Sequence, residues 1–327
     1  MKNGNERQQK SKTKNLKEEY MVPQITAVGS VGLDTVTTPE GTRTDMLGGS
    51  VIHFAVSAGY QTKVGIVGIV GEDFPEEHIA FLKERGIDYG GLEIVPGEKT
   101  FRWTGSYLKD FNAAETHCTA LNVFADFKPE LPEDYTKAPV LFLANINPSL
   151  QTHVIAQMDE ECYKICDTMN LWINETRDEL EEVFNKVDIV ILNDGEARLF
   201  TGEANLITAG KQMMKYGIDY CIIKKGEHGA LAFGRDDYFA AVPSYPVERV
   251  VDPTGAGDSF AGGFTGYLAK TGERTPGAIL EAMRWGTIMG SYNVSAFSCD
   301  RFREITIKEL EHRLREFKKM THYEDAE

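Results

Sequence analysis

Short apolar runs alternate with amphipathic stretches along most of this chain, and this alternation restricts its fold more than any other feature. The runs predict β-strands at 24–29, 63–70, 140–144, 164–167, 187–192 and 220–225. The stretches that separate and follow them predict helices at 50–60, 75–85, 178–185, 206–216, 256–270, 276–292 and 306–319. A regular succession of strand and helix is typical of an α/β fold, in which helices flank a mostly parallel central sheet.

Two segments, at about 35–47 and 97–125, interrupt this alternation and contain no convincing helical pattern. The second is rich in Thr, Phe, Trp and Tyr, which favour strands, and we expect a strand at 119–124 within it. The two insertions are predicted to form a small β-sheet lid across the main sheet, with a functionless edge hairpin as the alternative. The expected domain is 23–320, preceded by a polar, disordered tail at 1–22 and followed by a short tail at 321–327.

The charge balance limits the partners of the chain. Its 327 residues include 35 Lys or Arg and 50 Asp or Glu, which gives a formal net charge of −15. Such an acidic chain is poorly suited to bind a nucleic-acid backbone, although backbone amides and Mg²⁺ can still hold a polyphosphate. No apolar run reaches the roughly 18 to 20 residues that a membrane helix needs. We therefore expect a small-molecule partner, and neither nucleic acid nor membrane.

The five cysteines, at positions 118, 162, 166, 221 and 299, are scattered along the chain and odd in number. This pattern favours free thiols over a disulfide framework or a zinc site. Because free thiols persist in reducing compartments, we expect a cytoplasmic protein.

The strongest motif lies at 252–260 and reads Asp-Pro-Thr-Gly-Ala-Gly-Asp-Ser-Phe. A strand ends before it and a helix begins within it, so small residues at Gly255, Ala256 and Gly257 would let an anion approach free backbone amides. Asp258 would lie beside that anion and could accept a proton from a hydroxyl group. The alternative is an ordinary helix start with a favourable acidic residue in its first turn.

This segment resembles the C-terminal signature of the ribokinase-like (PfkB) carbohydrate kinase family, and the resemblance extends in order from Ile25 to Phe297. It implies a ribokinase-like fold and transfer of the γ-phosphoryl group of ATP to a hydroxyl of a small sugar-like substrate. By the same resemblance, Asp258 is the catalytic base, and the amides of Gly255, Ala256 and Gly257 form the anion hole. Asp252 and Thr254 match positions that hold a monovalent cation, such as K⁺, in some relatives.

The N-terminal half agrees with this resemblance. Asp34 follows the first predicted strand, where the family uses Asp to bind substrate hydroxyls, and Gly48 and Gly49 resemble its paired substrate-side glycines. His53 stands where the family usually has Asn, so we expect either a substrate contact or a core histidine on the helix. Two further substrate contacts are expected, from Arg102 on the lid and from Asn145. A homodimer through the lid is also expected.

The nucleotide side is predicted from the second half of the chain. Asn193 and Glu196 resemble the family's Asn-x-x-Glu motif, which supports Mg²⁺ largely through water, although the pattern is also an ordinary helix start. The segment that contains Lys224, Gly226 and Gly229 resembles the nucleotide loop, with a plain hairpin turn as the alternative. The resemblance adds Thr254 and Asn293 as ATP contacts, Asn293 at the end of a helix similar to the one that walls the adenine pocket.

The acceptor stays open between a sugar and a nucleoside. Aromatic residues near the lid, and the segment 167–172, could stack a nucleobase. A non-catalytic relative that binds a nucleotide or a sugar is the alternative of another class, and His53 is the feature in its favour. The sequence contains neither a P-loop nor the paired motifs of protein kinases, which excludes those two enzyme classes.

Overall fold

A computed structural model describes residues 22–108, 111–112 and 114–322 of the chain. The expected tails at 1–22 and 321–327 lie outside the described residues, except for Val22, Thr321 and His322. The strands, in chain order, are β1 (Ile25–Val28), β2 (Gly32–Thr38), β3 (Gly41–Gly48), β4 (Val64–Gly71), β5 (Asp88–Val95), β6 (Phe101–Ser106), β7 (Glu115–Ala120), β8 (Val140–Leu143), β9 (Tyr163–Asp167), β10 (Ile189–Asn193), β11 (Tyr220–Lys224), β12 (Ala230–Gly234) and β13 (Phe239–Val242).

The helices cover both faces of the larger sheet. They are α1 (Ser50–Ala58), α2 (Glu76–Glu84), α3 (Pro148–Ile155), α4 (Asn170–Glu175), α5 (Arg177–Phe184), α6 (Asp194–Thr201), α7 (Leu206–Met213), α8 (Ala256–Thr271), α9 (Pro276–Asn293), α10 (Asp300–Glu304) and α11 (Ile307–Met320). One apolar core lies under α1, α8, α9 and α11, and the other lies under α3, α5, α6 and α7. In the first core, the rings of Phe54 on α1 and Phe142 on β8 stack at 3.7 Å between centroids.

The larger sheet has nine strands in the order β13-β12-β11-β10-β9-β8-β1-β4-β5. Neighbouring strands from β5 to β11 pair in parallel, whereas β12 and β13 pair antiparallel at one edge. Strands β1, β4 and β8 are buried along their whole length, as expected for parallel strands covered on both faces. The predicted α/β fold with a mostly parallel sheet is therefore confirmed.

The second sheet has four strands in the order β3-β2-β6-β7, so the prediction of a small β-sheet built from two insertions is confirmed. It is a separate sheet, which makes the alternative of an edge hairpin on the main sheet wrong. The predicted strand at 119–124 ends earlier, at Ala120, because the chain turns at Asn122 with a φ of 48° and continues as a 3₁₀-helix at Asn122–Asp126. Strand β2 begins shortly after β1 ends, which fixes this sheet at the carboxyl end of the main sheet.

Two further observations concern the whole described chain. Among the described residues, we find no helix with both the length and the apolar character needed to cross a bilayer. All five cysteines are free thiols; Cys118 is exposed and the other four are buried. Cys166 lies in β9 and Cys162 immediately precedes that strand, so the two do not share a helix face.

Candidate active site

The predicted site residues gather at the carboxyl ends of the parallel strands, where open α/β sheets bind their ligands. The strand register pairs two of them, Asn193 and Lys224, and places Asp167 on the next strand of the sheet. Ile191 of β10 pairs with Asp167, the last residue of β9, and Asn193 at the end of β10 pairs with Lys224 at the end of β11. Helix α8 begins above this edge, which places its first turn over the polar strand ends.

The turn that begins α8 leaves backbone amides without side chains around them. Gly255 has a φ of 74°, a left-handed conformation that glycine adopts without strain, and the helix starts at Ala256. The side chain of Asp252 stabilises this turn, since the amide of Thr254 donates to Asp252 Oδ1 at 2.9 Å. The amide of Ala256 donates to the carbonyl of Pro253 at 3.1 Å. The Ala256 amide therefore has a partner in this structure, and the anion hole of Gly255, Ala256 and Gly257 stays a prediction.

The neighbours of Gly255 and Gly257 explain why both positions lack side chains. A Cβ at Gly255 would overlap the ring of His53, which lies directly against this residue. A Cβ at Gly257 would lie 3.1 Å from Lys224 Nζ, closer than most side-chain contacts. Any side chain at these two positions would therefore displace a polar group that borders the turn.

Asp34 and Asp258 are the two carboxylates that the sequence predicts for the acceptor and for proton transfer. Asp34 is only 6% exposed and accepts a hydrogen bond from the amide of Gly49. Burial, together with the nearby charges of Asp252 and Asp258, raises the pKa of Asp34 to about 7. Burial and the charge of Asp167 likewise raise the pKa of Asp258 to about 7. Asp34 and Asp258 thus share one buried environment, and each has a pKa near neutral pH.

The paired glycines of the N-terminal half support Asp34. A Cβ at Gly48 would overlap the Asp34 carboxylate, and Gly49 has a φ of 100° at the residue before α1. The Asp34 carboxylate therefore packs against backbone without side chains. It lies where the four-stranded second sheet, here called the lid sheet, joins the main sheet. This arrangement leaves little room for any residue other than glycine at either position.

Asn193 and Glu196 form a capping box at the start of α6. The amide of Asn193 donates to Glu196 Oε2 at 2.6 Å, and the amide of Glu196 donates to Asn193 Oδ1 at 2.8 Å. The ordinary helix start that the spacing also indicated is therefore present. Glu196 is nevertheless close to the site. Burial and the charges of Asp167 and Asp258 contribute to raising its pKa to about 8.

Lys224 is paired with a carboxylate that the site prediction did not include. Its Nζ lies 2.7 Å from Asp167 Oδ2, and both side chains are largely buried, at 15% and 5% exposure. The two residues are 57 positions apart in the sequence, so no local pattern could have linked them. The only available signal was that each residue ends a predicted strand, which places both at the same edge of the sheet.

The nucleotide loop follows β11 and adopts a tight turn. Gly226 and Gly229 both have positive φ, 53° and 83°, and the amide of Lys225 donates to the carbonyl of Gly229 at 2.7 Å. A Cβ at Gly226 would overlap Oδ1 of Asn112, a residue of the β6–β7 loop of the lid sheet. The lid sheet and the nucleotide loop therefore meet at Gly226.

His53 and Asn293 are buried together beside the turn before α8. His53 is 2% exposed and its Nδ1 donates to Asn293 Oδ1 at 3.2 Å, while Asn293 is fully buried. Asn293 also accepts from Ser259 Oγ at 2.8 Å and donates from Nδ2 to the carbonyl of Thr254 at 2.7 Å. His53 Nε2 is buried and has no hydrogen-bond partner among the described residues. The burial of His53 fits the core histidine that the sequence also allowed, and the ATP contact of Asn293 stays a prediction.

Arg102 and Asn145 also contact other side chains of the same chain. Arg102 forms ion pairs with Asp45 and with Asp73, the latter at 3.0 Å, and so ties the lid sheet to the loop after β4. Asn145 Oδ1 accepts from Trp172 Nε1 at 2.7 Å, and its Nδ2 contacts Met169 Sδ at 3.0 Å. Arg102 therefore acts as a tether, whereas Asn145 is half-buried at the ligand-binding edge of the sheet.

Tyr107, which directly follows β6, lies close to the carboxylates of the site. Its phenol lies beside the side chain of Thr254, and burial together with the charges of Asp252, Asp34 and Asp258 raises its pKa to about 12. The sequence singled out Tyr107 only as one of several aromatic residues near the lid. Its position by the turn before α8 makes it a site residue that a local pattern did not identify.

The parallel sheet and this glycine turn, with an aspartate in the first helical turn, define a phosphotransferase site of the ribokinase-like class. Residues 27–304 match the pfkB family of carbohydrate kinases. A cytidine kinase from Thermococcus kodakarensis is 32% identical over 252 residues, which cover 74% of this chain and 88% of the relative. The chain therefore belongs to the pfkB carbohydrate kinase family, which confirms the predicted family and kinase class.

Solved structures agree on the fold. A Burkholderia thailandensis nucleoside kinase in complex with inosine superposes with a TM-score of 0.73 at 18% identity, over 91% of this chain and 97% of that one. Arabidopsis thaliana ribokinase complexed with ribose and ATP gives a TM-score of 0.73 at 20% identity, over 90% and 99% of the two chains. These identities are low, so the two likenesses establish the ribokinase-like fold.

Proposed function

We propose that this protein transfers the γ-phosphoryl group of ATP to a primary hydroxyl of a nucleoside, with cytidine-like nucleosides as the first candidates. The observation that carries the proposal is the first turn of α8, where the bare amides of Gly255 and Gly257 adjoin the Asp258 carboxylate. Asp34 lies near enough for its pKa to respond to the charge of Asp258. An acceptor hydroxyl held by Asp34 would therefore lie within reach of both the base and the anion hole.

Each of these groups has one task in the proposed reaction. Asp34 accepts hydrogen bonds from two acceptor hydroxyls, and Asp258 takes the proton from the attacking hydroxyl. A base with a pKa of about 7 is half ionised at neutral pH and releases its proton readily afterwards. The amides of Gly255 and Gly257 donate to the migrating phosphoryl group, where negative charge accumulates. The lid sheet, with Tyr107 beside Thr254, excludes water so that ATP is not hydrolysed instead.

The donor set fits Mg²⁺ bound through water and phosphate. Among the described residues there is no cluster of three or more His, Cys, Asp or Glu side chains arranged to hold a metal directly. Glu196 and Asn193 instead offer oxygen atoms near the nucleotide loop. Burial, and after it the charge of Asp167, raises the pKa values of Glu196 and Asp258. Oxygen ligands and retained waters are what Mg²⁺ prefers, and when bound it would neutralise the charge of the ATP phosphates.

A monovalent cation such as K⁺ is a finer proposal for the turn at Asp252 and Thr254. Asp252 is fully buried, and its Oδ2 accepts from the amide of Ser298 at 3.2 Å. Thr254 Oγ1 is buried and has no hydrogen-bond partner among the described residues. Turnover measured in K⁺, Na⁺ and a large organic cation would test this proposal, and equal rates in all three would contradict it.

The cytidine kinase relative favours a nucleoside over a sugar. It matches most of both chains at 32% identity. The paired Asn145 and Trp172 add an amide and an aromatic ring at the ligand-binding edge, which suits a nucleobase. A sugar acceptor is the second candidate, since the family is one of carbohydrate kinases.

A panel assay tests the proposed acceptor. Purified protein is incubated with ATP, Mg²⁺ and each of a set of nucleosides and sugars, and both ADP and the phosphorylated product are measured. We expect stoichiometric ADP and nucleoside monophosphate with a pyrimidine nucleoside, at a kcat/KM at least about tenfold above that for ribose or fructose. Preferential phosphorylation of a sugar would overturn the nucleoside assignment. Ligand binding without any phosphorylated product would favour the non-catalytic alternative.

Two finer proposals concern the cellular compartment and the oligomeric state of the protein. Four buried free thiols and one exposed thiol suit a reducing cytoplasm, where ATP is also abundant. Strands β3 and β7 form the two edges of the lid sheet, and their residues are mostly exposed, so this sheet could pair with that of a second copy. A solution mass equal to that of one chain at all concentrations tested would contradict a homodimer.

A further inference from the structure

Lys224 lies where the transferred phosphoryl group would pass. It is the last residue of β11, and its side chain extends beneath the start of α8 instead of into solvent. The ideal Cβ position at Gly257 is 3.1 Å from Lys224 Nζ, and the next nearest atoms are also from this lysine. The ammonium group is therefore adjacent to the bare backbone of the anion hole.

Asp167 holds this ammonium group in place across the end of β10. The 2.7 Å contact between Lys224 Nζ and Asp167 Oδ2 joins the ends of β11 and β9, which are separated by one strand. Asp167 is fixed in turn, because its Oδ1 accepts from the amide of Thr168 at 2.7 Å. A lysine that has four rotatable bonds is thus restricted to one position.

The surrounding charges keep Lys224 protonated. Burial favours the neutral amine, but the carboxylates of Asp167 and Glu196 outweigh burial, so the pKa of Lys224 is raised. A buried ion pair of this kind often contributes little net stability, because both charges lose their hydration. A functional role explains better why a fixed cation is retained beside the anion hole.

We propose that Lys224 is a further catalytic residue that donates a hydrogen bond to the γ-phosphoryl group during transfer, and that Asp167 is its positioning residue. This proposal rests on the proposed kinase function. In the reaction, the bond from the γ-phosphorus to the β–γ bridging oxygen breaks, and a bond from the γ-phosphorus to the acceptor oxygen forms. ADP leaves with the bridging oxygen, and the acceptor proton passes to Asp258. Lys224 keeps its proton throughout and acts only as a fixed positive charge and donor.

The first test compares two nucleotides that differ by one phosphate. ADP and the non-hydrolysable analogue AMP-PNP are titrated calorimetrically, with Mg²⁺ present, into the wild type and Lys224→Met. A charge-assisted hydrogen bond to the γ-phosphate predicts that the variant binds AMP-PNP about tenfold or more weakly, with ADP affinity within about twofold. Equal losses for both nucleotides, or no loss for either, would overturn the proposal. Lys211→Met, which removes an exposed lysine of α7, is the matched control and should change neither affinity.

The second test separates catalysis from folding. Lys224→Arg keeps the positive charge and should recover part of the AMP-PNP affinity that Lys224→Met loses, with ADP affinity unchanged. A purely structural role would instead change the affinities for both nucleotides together. Asp167→Asn should lower kcat more than it raises the KM of the acceptor, because it loosens the ammonium without removing it. A rise in acceptor KM with unchanged kcat would contradict a positioning role.

The outcomes distinguish this proposal from the proposed function. If the wild type phosphorylates an acceptor but Lys224→Met discriminates between the two nucleotides as the wild type does, only the role of Lys224 fails. If the wild type phosphorylates none of the acceptors while Lys224→Met still loses AMP-PNP selectively, the kinase assignment fails and the phosphate contact stands. A wild type that binds neither nucleotide would overturn both.

Discussion

The imidazole of His53 lies against the bare α-carbon of Gly255, so that the helix after the paired glycines supports the turn that forms the anion hole. His53 also donates to Asn293, which binds the carbonyl of Thr254 at 2.7 Å. Side chains from α1 and α9 therefore fix the turn from its buried side. His53, which stands where the family usually has Asn, thus helps to stabilise this turn.

We predict that His53→Ala lowers both stability and turnover. Removing a fully packed ring leaves a cavity and takes from Asn293 Oδ1 one of its two donors, since Ser259 Oγ still donates to it; together these losses cost about 2 to 4 kcal/mol in free energy of unfolding. The loosened turn should lower kcat by about tenfold and leave the KM of the acceptor nearly unchanged, because His53 does not face open space. Denaturant unfolding and steady-state kinetics measure the two effects. A change in acceptor KM alone would instead support a direct substrate contact.

Gly257→Ala should impair catalysis with little loss of stability. The added Cβ would lie 3.1 Å from Lys224 Nζ, the mobile end of a flexible side chain, so the lysine can move aside. Displacing that ammonium should lower kcat by about tenfold or more. The matched control is Gly277→Ala at the start of α9, where a Cβ would meet only Thr275 Oγ1 at 4.0 Å. The control should keep full activity and gain up to about 1 kcal/mol from alanine's higher helix propensity. Equal activity in the two variants would contradict this account.

The pH dependence of kcat/KM should report the ionisation of Asp258. The base must be ionised to accept a proton, and its pKa in the free enzyme is raised to about 7. The pKa of Asp34, which would bind the acceptor, is also raised to about 7, so activity should fall at least about tenfold for each unit of pH below about 7 and should level off above it. A profile that stays flat down to pH 5 would contradict the role of a carboxylate with a raised pKa.

The same carboxylate should destabilise the ligand-free protein at alkaline pH. Its folded-state pKa of about 7 exceeds the ordinary aspartate value of 3.8, so the native state binds more protons than the unfolded state between these values. Stability therefore decreases as pH rises through this window, and the loss is complete above about pH 7. Asp258→Asn removes this loss of stability and should raise Tm by about 2 to 6 °C at pH 8. At pH 4 the two proteins should melt alike, and a lower Tm of the variant at pH 8 would contradict the assignment.

The sequence predicts the parts of this molecule that depend on local patterns. The parallel strands follow from apolar runs, and α2 stops as expected before Gly86, which has a φ of 69°. The edge hairpin of β12 and β13 was missed because its turn uses Asp236 and Asp237 at positive φ, without the glycine that usually marks such turns. Helix α6 was not among the predicted helices, although the Asn193 and Glu196 spacing was also interpreted as an ordinary helix start.

The contacts that organise the site could not be predicted, because they join distant residues. His53 and Asn293 are 240 positions apart, and the partner of Lys224 depends on which strands become neighbours. Neither pairing leaves a periodic signal in the chain. The sequence likewise does not reveal that the carbonyl of Pro253 accepts from the amide of Ala256.

The most direct test of the whole account is a single-turnover assay of Asp258→Asn with ATP, Mg²⁺ and the preferred nucleoside. We predict a folded protein that binds ATP with nearly wild-type affinity and forms the nucleoside monophosphate at least about a hundredfold more slowly. Asp237→Asn, an exposed turn residue, should react like the wild type. Product formation by Asp258→Asn at the wild-type rate would contradict the central claim that this carboxylate deprotonates the acceptor.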